Sequence, residues 1–180
     1  MFIPIVIDNE EILVRFIFRD NFKKNIISEE KLNPGSIFLD SRQCGVSLQR
    51  YKYSSEDLCK QYAKKIPKQY VGVIVFKKID FDSLVKEYKK ERCDFESKIE
   101  YSPLDDYNNY ILKRSQIRKI NSGNPSHADI LYINPAMQEF ETINSALRLF
   151  SRKLERKCTI IIDPYPEKPT YLGIPYTVRT

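Results

Sequence analysis

The sequence predicts an α+β fold: a single mixed domain over residues 1–180, with a central, largely antiparallel sheet and a few flanking helices. Three observations carry this. Six short segments are rich in β-branched and aromatic residues, whereas three others repeat apolar residues at helical spacing. The two kinds alternate irregularly, without the strand–helix–strand rhythm of a parallel sheet. A chain of 180 residues, 42% hydrophobic and 30% charged, is long enough for one core without disulfides or metal.

Taken in order, "EILVRFIF" at 11–18 reads as a strand. Alternation puts Leu13, Arg15 and Ile17 on one face and Ile12, Val14, Phe16 and Phe18 on the other. A polar, turn-prone run follows, with a helical turn expected from Ser28. "GVSLQR" is a short strand with Ser47 and Gln49 to one side, Leu48 and Arg50 to the other. A helix then starts at a Ser54 or Ser55 cap, runs on a stripe of Leu58, Tyr62 and Ile66, and closes at Pro67. "QYVGVIVF" is a near-continuous apolar run, as a central strand would be. "DFDSLVKEYKK" is a short helix, and "SKIEYSP" a strand ending at Pro103. Residues 104–126 form a polar, basic insertion or loop before the strand "ADILYI". The last helix starts at Asn144 or Ser145 and buries Ala146, Leu147, Leu149, Phe150 and Leu154. "CTIII" is the final strand, and a proline-rich tail occupies 163–180.

The N-terminus lacks a signal peptide's basic start and cleavage site, and no apolar run is long enough to span a bilayer. A cytoplasmic protein without a membrane partner is expected. Cys44, Cys59, Cys93 and Cys158 are scattered and read as reduced thiols. No C-x-x-C pair supports a zinc site, and Asp40, Asp105, Asp106 and Asp129 lack paired spacing, so no metal or cofactor is expected. No Walker A run, G-x-G-x-x-G, H-E-x-x-H or G-x-S-x-G is present.

The only histidine, His127, follows the turn-rich run 121–126 at the start of a strand. There it can act as a neutral-pH acid or base, or merely bond loop carbonyls. Arg15 and Arg50 are candidate phosphate clamps, with the Ser47 hydroxyl as a further donor. If these groups meet His127 in space, they can hold an anion and move a proton. A Ser47, His127 and Asp129 triad can also be drawn, without a nucleophile elbow to support it. The net charge of +6 is concentrated in "LKRSQIRK" (Lys113, Arg114, Arg118, Lys119) and in the last helix (Arg148, Arg152, Lys153, Arg156, Lys157). Both suit nucleic acid, with Tyr107 and Tyr110 placed to stack on bases, and both equally suit a solvated face.

The ordered set Arg15, "GVSLQR", "YSPLDD" and "GNPSHADILY" resembles a largely uncharacterised family of small bacterial proteins. That family has an early strand arginine, an "LSV-x-R" segment and "NPAHA" or "NPSHA" before a strand. The resemblance implies a working role for His127 and a setting such as phage defence or a toxin–antitoxin system, with a protein partner encoded nearby. The insertion at 104–126 departs from the family's compact pattern, so its basic cluster is not a family feature. The order Arg15, Ser47, then Gln138, Glu139 and Glu141 is also similar to the R…S…E order of ADP-ribosyltransferases, which would imply NAD binding. The leading expectation is a protein acting on RNA or DNA by metal-independent cleavage or transfer. In it, His127 is the acid or base, Arg15, Ser47 and Arg50 hold phosphate, and Lys113, Arg114, Arg118, Lys119, Arg152 and Arg156 bind the nucleic acid. Its competitor is a non-enzymatic docking module in which "NPSHAD" is a structural fastener.

Overall fold

Six strands pair into one antiparallel sheet: β1 (Ile12–Phe18), β2 (Gly45–Arg50), β3 (Tyr70–Lys77), β4 (Glu96–Tyr101), β5 (His127–Ile133) and β6 (Thr159–Ile162). The order across the sheet is β4-β5-β2-β1-β3-β6. Among the described residues three α-helices accompany it: α1 (Glu56–Lys64), α2 (Lys78–Glu91) and α3 (Ser145–Lys157). The structure is a computed structural model, described here for residues 3–23, 26–33, 37–39, 45–111, 123–133 and 145–178.

Alternation along the strands divides the core in two. One face presents Leu13, Ile17, Val46, Leu48, Ile74, Phe76, Ala128 and Ile130, covered by Phe81, Leu84 and Tyr88 of α2 and Leu147, Phe150 and Leu154 of α3. Edge-on ring contacts join these layers, as between Tyr132 of β5 and Phe150 of α3 at 6.0 Å. The other face presents Val14, Phe18, Tyr70, Val73 and Val75, covered by Cys59 and Ala63 of α1 and by Tyr176 of the tail. Burial on both faces explains why β3 is apolar at nearly every position. Lys77 ends it, and Gly72 carries no side chain because a Cβ there would lie 2.3 Å from the Ile161 carbonyl of β6.

The expected α1 stripe is corrected by one position. Leu58 and Ile66 are 39% and 38% exposed, while Cys59, Lys60 and Ala63 are buried. The cause is the tail. Lys60 Nζ lies 2.8 Å from Asp163 Oδ2, with both side chains fully buried, and donates to the carbonyls of Tyr165 (2.6 Å) and Thr170 (3.1 Å). Lys64 donates to the carbonyls of Glu167 and Lys168, and Asp57 accepts from the Tyr171 N–H. Residues 163–178 contain no helix or strand, yet these bonds lay them across α1. In α3, Leu149 is also exposed (41%) rather than part of the buried stripe. The α2 helix begins at Lys78, two residues earlier than its sequence suggests.

Candidate functional site

Cross-strand register builds the surroundings of His127. Gln49 lies opposite His127 and Ser47 opposite Asp129, while Glu100 of β4 flanks Asp129 from the other side. The "GNPSH" turn enters β5 through a reciprocal backbone pair between Leu104 and Asn124. Gly123 has φ +76, and a Cβ there would meet the Leu104 carbonyl at 2.5 Å, so this corner requires glycine. Tyr62 and Tyr101 donate to the carbonyls of Gly123 and Pro125, and the Arg50 N–H to that of Ser126. The Ser126 hydroxyl bonds Gln49 Oε1 at 2.9 Å.

His127 is only 3% exposed. Its Nδ1 lies 2.7 Å from the Ser102 carbonyl oxygen and 3.1 Å from Ser102 Oγ. A carbonyl only accepts, so Nδ1 carries the proton and Nε2 the lone pair. The Ser102 hydroxyl donates to Asp129 Oδ2 at 2.7 Å, and that oxygen is 3.7 Å from Nδ1. Burial pushes the His127 pKa below its ordinary value, against the opposing pull of the Asp129 carboxylate and the Ser102 carbonyl; the charge of Arg15 lowers it further. The result is a neutral, oriented imidazole. Asp129 Oδ1 is buried and accepts no hydrogen bond among the described residues.

The expected clamp does not gather around it. Ser47 shares the His127 face and is exposed, but alternation turns Arg15 and Arg50 to the opposite face. Arg15 donates through Nε to the Ile37 carbonyl and through Nη1 to the Ser47 carbonyl. Arg50 is fully buried: it meets Glu11 Oε1 at 2.6 Å and Oε2 at 2.9 Å, and also donates to the carbonyls of Pro4 and Val6. Its guanidinium carbon lies over the rings of Tyr53 and Tyr101, 4.7 and 5.0 Å from their centroids. Four of its five N–H donors are thus spent on fastening the N-terminal segment. Nor do Ser47, His127 and Asp129 form a triad, because Ser102, not Ser47, bonds the imidazole, and it does so on the Nδ1 side. Nothing in the sequence marks Ser102 above any other serine.

The basic residues divide by element. Arg148, Arg152 and Arg156 recur every four residues on α3, all exposed, and none makes an ion pair among the described residues. Along another side of α3, Lys153 pairs with Glu91 at 2.7 Å and Lys157 with Glu87 at 3.8 Å, across the seam with α2. Lys113, Arg114, Arg118 and Lys119 lie outside the described residues, as do Cys44, Asp40, Gln138, Glu139 and Glu141. Tyr107 is 84% exposed at the tip of the 104–110 turn, and Tyr110 packs near the His127 ring, 6.3 Å between centroids. Among the described residues no cluster of three or more His, Cys, Asp or Glu side chains is placed to hold a metal ion, and no helix is long and apolar enough to cross a membrane. No protein-family model, curated protein or solved structure matches the chain.

Proposed function

We propose that this protein is a non-enzymatic docking module for nucleic acid, with α3 as its contact element and the "NPSHAD" turn as a structural fastener. The observation that carries this reading is the row Arg148, Arg152 and Arg156. Arginine side chains spaced by four residues share one helix face and stand about 6 Å apart along the axis. These three are exposed and carry no counter-charge among the described residues, whereas their lysine neighbours Lys153 and Lys157 are paired. Guanidinium groups held in this way suit a phosphate backbone. His127, by contrast, is buried, its Nδ1 held by Ser102, whose hydroxyl in turn donates to Asp129.

A second reading, metal-independent cleavage with His127 as base, is favoured by one observation: the neutral imidazole leaves a lone pair on Nε2. One experiment separates the two. Labelled RNA and DNA are incubated with wild type, His127→Ala and R148Q/R152Q/R156Q in EDTA, across a salt series. The docking reading expects binding without cleavage. It also expects the slope of log K against log salt to fall by roughly 3 when the three arginines are replaced, about one for each phosphate left without its arginine. EDTA-resistant cleavage that disappears in His127→Ala would instead establish the enzyme. Binding that ignores the three arginines would sink the docking reading.

A further inference from the structure

Deepening the docking reading, on which it rests, we propose that the α2–α3 layer as a whole is a surface for duplex DNA, one flank engaging each strand. The two helices lie antiparallel on the same sheet face, since Lys153 meets Glu91 while Lys157 meets the earlier Glu87. These pairs neutralise the seam between them. On α3 the arginine row is turned about 120° around the helix from the Lys153–Lys157 row, which places it on the solvent-facing side, turned away from the seam with α2. The same geometry recurs on α2. Lys86, Lys89 and Lys90 are exposed and make no ion pair among the described residues. Lys89 lies opposite Glu87 and Glu91, on the flank away from α3, while Lys86 and Lys90 stand on the solvent-facing crown of the helix, about 120° and 80° round from those two acids. The layer therefore has two positive margins separated by an electrically balanced strip.

The spacing selects the partner. Packed helices lie about 8–10 Å apart, and rows turned outward from the seam between them stand at least that far apart. A single strand presents one line of phosphates and satisfies one row at a time. A B-form duplex presents two antiparallel phosphate ridges bordering a major groove about 12 Å wide, so both rows are occupied together. The balanced seam then faces the groove, where no phosphate demands a cation. A-form RNA, with its narrow major groove, fits less well. The contacts are all to backbone, so the surface reads charge and width rather than base sequence.

The test compares wild type, K86Q/K89Q/K90Q and R148Q/R152Q/R156Q by fluorescence anisotropy, on a labelled DNA duplex, its separated strands, the matching RNA duplex, and vesicles of phosphatidylserine in phosphatidylcholine. All six positions are exposed and without ion pairs among the described residues, so the variants keep the fold, as circular dichroism checks. The lysine variant is expected to weaken DNA-duplex binding at least tenfold while single-strand binding changes less than twofold. The arginine variant weakens both. A lysine variant with wild-type duplex affinity overturns the two-flank surface but leaves α3 docking standing. Equal losses on duplex and single strand, or tighter binding to RNA duplex or vesicles than to DNA duplex, overturn it as well. Wild type that binds no nucleic acid at all removes the docking reading itself.

Discussion

His127 is held neutral by where it sits, and that has a measurable consequence. Its pKa in the folded chain is depressed, chiefly by burial, whereas in the unfolded chain it titrates near the ordinary value of about 6.5. Below that value the unfolded chain takes up a proton that the folded chain resists, so the unfolded state binds more protons and stability falls as pH falls. The contribution is therefore intact above about pH 6.5 and lost on acidification toward the folded pKa. His127→Asn keeps an N–H for the Ser102 carbonyl but does not titrate. Urea midpoints measured at about pH 7.5 and about pH 5.5 should drop more in wild type than in His127→Asn. An equal drop in the two would mean that the imidazole is not the group responsible. Sequence singles out His127 because it is the only one; it does not reveal Ser102, whose role depends on β4 lying beside β5.

At the level of elements, what was legible is what depends on neighbours in sequence. The strands show because β-branched and aromatic residues cluster over a few positions, as in β1 and β3, and α1 because it carries a cap, the Ser55 hydroxyl accepting from the Leu58 N–H. The buried side of α1 was not legible, because Lys60 is buried by Asp163 and the tail, more than a hundred residues away. Arg50 is the same lesson on β2: it reads as a phosphate clamp until Glu11 is found beside it. Lys60→Ala leaves the Asp163 carboxylate buried and unpaired, and should cost about 3–5 kcal/mol in chemical denaturation. Leu58→Gln, on the side that apolar periodicity would have buried, should change stability by less than about 0.5 kcal/mol. Reversed magnitudes would return α1 to the stripe expected from its sequence.

Over the whole molecule, the sheet separates two covering layers, of which the proposed reading assigns only one to a partner. The α2 and α3 layer covers one face, while α1 and the tail cover the other, with Tyr176 sealed beside Tyr51 and Tyr171 at ring distances of 5.6 and 5.1 Å. Nothing in the tail bonds α2 or α3 among the described residues; its donors and acceptors go to Asp57, Lys60, Lys64, the Val71 carbonyl of β3 and its own turns. Removal of the residues after Pro175 takes Tyr176 out of the second core, and burial of one large side chain is worth about 1.5–3 kcal/mol. The truncated chain should therefore unfold at lower urea by that amount, yet bind nucleic acid with unchanged affinity and salt slope wherever it is still folded. That separation is specific to a layered arrangement. If truncation weakened binding as much as stability, the tail would belong to the contact surface, and α3 could not be the element that carries it.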